Sequence, residues 1–400
     1  MSGQSRALAM SCAVLVAIAV APPRAARSQS ASPAPSAARV VDLESPDGIA
    51  LKASYFASGR PGPGILLFHA CNSDRSSWND LAAAAAARGF HVIALDYRGY
   101  GESRGTRSDD PAQQRWIADR EWPGDIDAAY AWLTSQPGVD KTRIGAAGAS
   151  CGVDQAVQLA RRHPEVRTVV LLSGGVTAPG REFIRDSTWL PILGAASHGD
   201  GGAVETMRWA MGWSRNPTNE FVEYRAAGHG VDMFAVEKEL QPRVLAWFER
   251  HVRDAPATRP TVTTDAGPTI VEQFWTTLNQ PGGVTRARQL YDAAKSRDKS
   301  VVLFPEGETN LLGYQLLRDG NTRDAVSLFQ MNVEGYPRSA NACDSLSDAW
   351  LAAGDKEQAL KYAQKAIAML DQDPDATPQF KQLIRESAEG KIKQLQGDRK

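Results

Sequence analysis

The stretch Ile144–Val153, IGAAGASCGV, sets one serine, Ser150, between Gly148 and Gly152 and directly before Cys151. The residues leading into it, TRIGAAG, form a small, apolar run of the kind a buried strand uses. Those leaving it, GVDQAVQLARR, have helical periodicity. A serine at such a junction sits on a sharp turn with its hydroxyl exposed above the sheet. Glycines flank it because side chains there would strike the adjoining strand and helix. The G-x-S-x-G pattern alone arises by chance in loops; its place between strand and helix gives it weight.

Outward from this turn, residues 40–252 alternate strand-like and helix-like segments. VVDLES and IALKASYFA, joined through a Pro-Asp-Gly turn, predict an opening hairpin. GILLF, HVIALDY, TRIGAAG, TVVLLSG, LPILGAAS and EFVEYRAAG predict successive buried strands. Helical patterns fall between them at Trp78–Arg88, Gly124–Ser135, Gly152–Arg162, Ala203–Met211 and Glu237–His251. Short apolar strands separated by helices imply an α/β domain, a mostly parallel central sheet with helices on both faces.

The pattern stops at 253–267, a linker rich in Pro, Thr and charge. From 268 to 400 helical periodicity takes over and implies an all-α helical-repeat domain. LGYQLLRDGNTRDAVSLF from Leu312 and LSDAWLAAGDKEQALKYA from Leu346 align Leu312 with Leu346, Gly320 with Gly354 and Ala325 with Ala359, each 34 residues apart. FWTTLNQPGGVTRARQLYDAAK is a degenerate earlier unit, and the segment from Thr269 is expected to stack with the two clear repeats. A last helix, Gln379–Leu395, would cap the stack.

At the other end, ALAMSCAVLVAIAVA after Arg6 is apolar but short, and a Pro-rich stretch of small residues follows. This predicts an export signal over 1–28 and a flexible lead-in over 29–39, with an uncleaved anchor as the competing reading. Once the signal is cleaved, no stable membrane span is expected, and the protein would be periplasmic or extracellular. Lys and Arg number 45 against 46 Asp and Glu, which argues against a nucleic-acid partner or a polybasic membrane anchor. No zinc-type cysteine spacing occurs, and neither a metal nor another cofactor is expected.

A serine nucleophile needs a base, and the base an orienting acid, expected after it in the order Ser, Asp, His. His69 and His91 precede the turn, while His163 and His251 lie at or on helices and read as structural. His229, in YRAAGHGVDMF past the last strand, is the candidate base, with His198 as rival. Asp200, in the loop after LPILGAAS, is the candidate acid; Asp186 and Asp232 are alternatives. The oxyanion of acyl transfer needs two fixed donors. The backbone N–H of Cys151 is one by position, and that of Cys71 or Ala70, after GILLF, is the other. A Cys151 nucleophile would put Ala149 where a glycine is needed, so Ser150 is preferred.

In order, GILLFHACNSDRSSW, VIALDYRGYGES, GAAGASCG, LPILGAASHGD and GHG resemble the landmarks of the alpha/beta-hydrolase superfamily, in its dienelactone hydrolase-like and small-esterase branch. The resemblance covers roughly residues 40–252. It implies hydrolysis of a carboxylic ester, lactone or related acyl bond through Ser150, His229 and Asp200, without a metal. Dienelactone hydrolases proper use cysteine where this chain has Ser150, which puts their particular substrate in doubt. Asp96 and Arg98 match a motif that is mainly structural in the superfamily. Residues 310–370 resemble tetratricopeptide repeats, which implies a groove for a protein or peptide partner, or one filled by this chain's own first domain.

In that inferred geometry Cys71 and Cys151 come within disulfide reach. A bridge between them would persist after export and lock the two donor loops. The other reading makes both reduced packing residues. The segment between LLSGG and LPILG is short, so no large lid is expected, and an open cleft would suit a small or medium acyl substrate. SRGTRSDDPAQQRWIADREWPG would line one wall, with Trp116 and Trp122 either facing the cleft or packed inside. Two other functions stay open: a non-catalytic binding protein on the same fold, and a peptidase or thioesterase using the same three residues.

Overall fold

The structure, a computed structural model, describes residues 38–256, 258, 267–373 and 378–397. The expected signal over 1–28, the lead-in up to residue 37 and most of the linker (257 and 259–266) lie outside the described residues. Among the described residues there are eight strands: β1 (Arg39–Glu44), β2 (Ala50–Phe56), β3 (Gly62–Phe68), β4 (His91–Leu95), β5 (Val139–Ala149), β6 (Val166–Leu172), β7 (Ile192–Ser197) and β8 (Glu220–Tyr224). They form one sheet in the order β1-β2-β4-β3-β5-β6-β7-β8. β2 pairs antiparallel with β1 and β4, and every other pairing is parallel.

Side chains alternate between the two faces along each strand. Leu66 and Phe68 of β3 enter one core with Ile126 and Leu133 of helix Trp122–Ser135 and Val153 and Val157 of helix Cys151–Arg162. Ile65 and Leu67 enter the other, with Leu81 and Ala85 of helix Asn79–Ala87 and Val244 and Phe248 of helix Leu240–Phe248. The sheet is thus buried on both faces, as its continuous apolar strands require. The β5 turn bearing Ser150 lies at its centre.

The helix expected over Glu237–His251 starts later, as Leu240–Phe248 continued by a π turn, Glu249–Arg253, and a separate short helix, Met233–Val236, precedes it. Pro242 accounts for the later start. Without an N–H it fits only the first turn of a helix, which fixes the start near Leu240. Helices Pro111–Arg120 and Ala178–Asp186 were not anticipated.

After residue 270 the chain is helical: Ile270–Leu278, Gly283–Arg297, Glu306–Arg318, Thr322–Gly335, Ala340–Ala352, Lys356–Met369 and Pro378–Gly397. Helix Ile270–Leu278 packs on Gly283–Arg297, which in turn packs on Thr322–Gly335, and from Glu306–Arg318 onward each helix packs on the next. Gly320 and Gly354 end their helices at φ of 78° and 79°, a left-handed conformation that favours glycine. Ala325 and Ala359 are fully buried where the next helix approaches. This region is seated on the sheet domain through Trp209 of helix Ala203–Met211, which shares one core with Val271, Phe274 and Phe304. The Arg208 Nη1 donor reaches the Ser300 carbonyl at 2.7 Å, and Arg215 pairs with Glu272.

Candidate active site

Ser150 has φ 54° and ψ −120°. Such a conformation is costly for a residue with a Cβ and persists only where the surroundings over-determine it. The contacts that impose it are backbone contacts. A Cβ on Gly148 would stand 1.9 Å from the Gly152 carbonyl oxygen, and one on Gly152 would stand 2.4 Å from that of Phe68. The Ser150 N–H donates to the Leu172 carbonyl at 2.9 Å. Ser173, at the end of β6, is the other described non-glycine residue with positive φ, but it is buried.

His229 and Asp200 meet beyond the ends of β8 and β7. Nδ1 of His229 lies 2.8 Å from both Oδ1 and Oδ2 of Asp200, so Nδ1–H donates to the carboxylate and Nε2 is left as the basic nitrogen. This hydrogen bond raises the histidine's pKa; burial opposes it, and Asp200 and Asp232 add their negative fields. The residue after His229 closes on the serine turn, for a Cβ on Gly230 would lie 3.1 Å from the Ala149 Cβ. His229 is therefore carried beside the residue preceding Ser150.

The other histidines are engaged elsewhere. His69 is fully buried, its Nδ1 donating to the Ala70 carbonyl and its Nε2 accepting from the Tyr97 N–H; burial lowers its pKa. His91 bonds Tyr55, His163 bonds Asp127, and the exposed His198 lies 3.2 Å from Glu223. His251 packs on Trp247, and burial pushes its pKa down to about 4. Asp186 pairs with Arg185, and Asp232 stays near His229 without replacing Asp200 at its ring. Asp96 accepts from the N–H groups of Arg75 and Glu102, and Arg98 pairs with Asp125, so both hold loops together.

Cys71 and Cys151 are joined by a disulfide, with their Cα atoms 5.7 Å apart and a sequence separation of 80. It ties the loop after β3 to the first residue of the helix after Ser150. The cleft at Ser150 is not lined by the sheet domain alone. Ser150 and Cys151 line a cleft of about 1060 Å³ that is also lined by Pro305, Leu311, Tyr314 and Phe380 of the C-terminal region. A short insertion inside the sheet domain cannot reveal a wall brought in from 150 residues further along. The tryptophans are also reassigned. Trp122 is buried and stacks on Tyr97 at 4.0 Å, Trp116 is solvent-exposed, and helix Pro111–Arg120 gives the cleft Arg115, Ala118 and Asp119 instead. Arg181 and Trp209 also line the cleft, and no motif marks either one. Among the described residues no group of three or more His, Cys, Asp or Glu is arranged to hold a metal ion, and no helix is long and apolar enough to cross a membrane.

A family profile described as the alpha/beta hydrolase fold matches residues 63–193. An uncharacterized protein of Mycobacterium tuberculosis is 37% identical over 171 residues, which are 41% of this chain and 57% of that protein. A thiohydrolase of Aspergillus aculeatus is 27% identical over 143 residues, 36% of this chain and 43% of the other. The matches thus span about half the length of these curated relatives. Among solved structures, an esterase of Pyrococcus furiosus aligns at 18% identity and TM-score 0.44 over 54% of this chain and 92% of its own. A dienelactone hydrolase of Anabaena variabilis aligns at 17% identity and TM-score 0.42, over 54% and 98%. By the profile matched over residues 63–193 and by its own eight-stranded sheet, the first domain has the alpha/beta hydrolase fold, and a helical region follows residue 270.

Proposed function

We propose that the protein is a serine hydrolase acting on carboxylic esters or related acyl compounds. The observation that carries this reading is Ser150 held at φ 54° in the cleft, beside the segment bearing the His229–Asp200 pair. In this mechanism His229 Nε2 takes the Ser150 hydroxyl proton as Oγ adds to the acyl carbonyl. The Cys151 and Cys71 N–H groups hold the oxyanion. His229 then returns the proton to the departing alkoxide, leaving an acyl-enzyme, and water repeats the sequence to free the acid. The disulfide's part is to fix the spacing of the two donors. A thioester is the second candidate substrate, favoured by the name of the thiohydrolase relative.

Export accompanies this reading. It is supported by the apolar N-terminal sequence and by a disulfide of the kind that persists in oxidising compartments. The helical repeats brace the first domain, a role supported by the core shared around Trp209. A fluorophosphonate probe, which phosphonylates activated serines, tests the central point. Labelling of the wild type that disappears in Ser150→Ala is expected; an unlabelled wild type would favour a binding protein on the same fold.

A further inference from the structure

Helix Glu306–Arg318 has one clear inner face. Thr309, Leu312, Gly313 and Leu316 fall at the i, i+3, i+4, i+7 spacing of a buried stripe. They face the neighbouring helices: a Cβ on Gly313 would meet the Phe329 ring at 2.4 Å, and Leu312 and Leu316 pack on the core around Phe304. Leu311 lies about 150° around the helix from this stripe, at 100° per residue. It is 70% exposed and lines the cleft that holds Ser150. The helix's own packing gives no reason for a leucine there.

Phe380 makes the same point from another helix. It lies one turn before Ile384, on the stripe that continues through Ala388 and Leu395 into the repeat core. At this end the stripe overhangs the cleft, and Phe380 is 41% exposed there. Single exposed apolar residues are ordinary. Two from separate helices, lining the same cleft as a candidate nucleophile, make a surface suited to an apolar ligand. The wall is also held in place, since Trp209 lines the cleft and at the same time belongs to the core that seats the helices.

We infer that the C-terminal helices complete the acyl-binding site, and that Leu311 and Phe380 select an elongated apolar acyl chain over an acetyl-sized group. This rests on Ser150 as the nucleophile. The volume agrees, because about 1060 Å³ is at the large end for a small-molecule site and far beyond what an acetyl group fills. Each methylene that reaches the apolar wall should raise kcat/KM by on the order of fourfold until the chain passes Phe380.

The test uses the full chain and p-nitrophenyl esters from acetate to dodecanoate. The wild type is expected to prefer medium or long chains. The Leu311→Ala/Phe380→Ala variant is expected to lose at least tenfold in kcat/KM on octanoate, with acetate turnover and probe labelling within twofold of wild type. Both side chains are exposed enough that truncation leaves no buried cavity. A second measurement separates this inference from the hydrolytic reading: calorimetric binding of octanoic acid to Ser150→Ala, with and without the two alanines. Binding weakened at least tenfold by the alanines supports the wall even if no ester is cleaved, which would sink the hydrolytic reading alone. A chain-length profile and an octanoate affinity that are both unchanged in the variant overturn the inference.

Discussion

Nδ1 of His229 stands 2.8 Å from each carboxylate oxygen of Asp200. The hydrogen bond holds the imidazole's pKa above its usual value of about 6.5. Two effects of opposite sign follow. In the proposed mechanism His229 works only as neutral imidazole, so kcat/KM should be lost as pH falls through the raised value. The ion pair's contribution to folding is full below the unfolded pKa and is lost as pH rises through the folded one. Asp200→Asn should move the acid limb of the kcat/KM profile to lower pH and cut kcat by on the order of 10³–10⁴. An acid limb that stays in place would remove Asp200 from this role.

Gly152 has no spare room. A Cβ there would approach two backbone carbonyl oxygens, 2.4 Å from that of Phe68 and 3.0 Å from that of His69. Neither can rotate aside as a side chain would. Gly152→Ala should therefore cost about 1–3 kcal/mol in urea unfolding and displace the Cys151 N–H, lowering kcat more than it raises KM. An unfolding midpoint equal to that of the wild type would show that the elbow tolerates the methyl group.

Much of this site was legible because it depends on local patterns. The apolar runs set the strands and their parallel pairing, GASCG marked the turn, and chain order picked out Asp200 and His229, which the fold brings to one pair of strand ends. What was not legible depends on packing between distant segments. Part of the cleft's lining comes from helices more than 150 residues beyond Ser150, docked through Trp209, and no local pattern around Ser150 signals them. Pro242 was a visible signal that the last helix of the sheet domain starts near Leu240 and not at Glu237. Helix Pro111–Arg120 was hidden by its polar sequence, being steadied in part by the Arg115–Asp119 pair at i,i+4 rather than by an apolar stripe.

The Cys71–Cys151 bridge closes a loop with a sequence separation of 80 residues, long enough that the chain-entropy model assigns it about 4.5 kcal/mol. Cys71→Ala/Cys151→Ala should lose about 2–4 kcal/mol of stability in urea unfolding. It should also lower kcat on any ester the wild type cleaves, because the two donor loops are freed to separate while the backbone N–H groups remain. Alkylation in denaturant, before and after reduction, should differ by two thiols in the wild type and by none in the variant. An equal thiol count with and without reductant in the wild type would rule the bridge out.

The last helix is pinned by a buried charge. Lys391 Nζ lies 2.9 Å from Asp344 Oδ1 and 2.7 Å from Asp348 Oδ1, and it donates to the Asp344 carbonyl at 3.1 Å. Burial raises the pKa of Asp344, and Lys391 is the main influence pulling it back down. Lys391→Met keeps most of the side chain's length but leaves that carboxylate without its cation, a loss that costs about 3–5 kcal/mol for a buried pair. With the lysine gone, the folded pKa of Asp344 rises further above its unfolded value, so the variant's deficit should be smallest in acid and grow as pH rises through that folded pKa. Adding Asp344→Asn should recover most of the loss at neutral pH. Thermal unfolding from pH 4 to 8 checks both points, and a deficit that neither varies with pH nor responds to the second substitution would mean that Lys391 acts through its methylenes, not its charge.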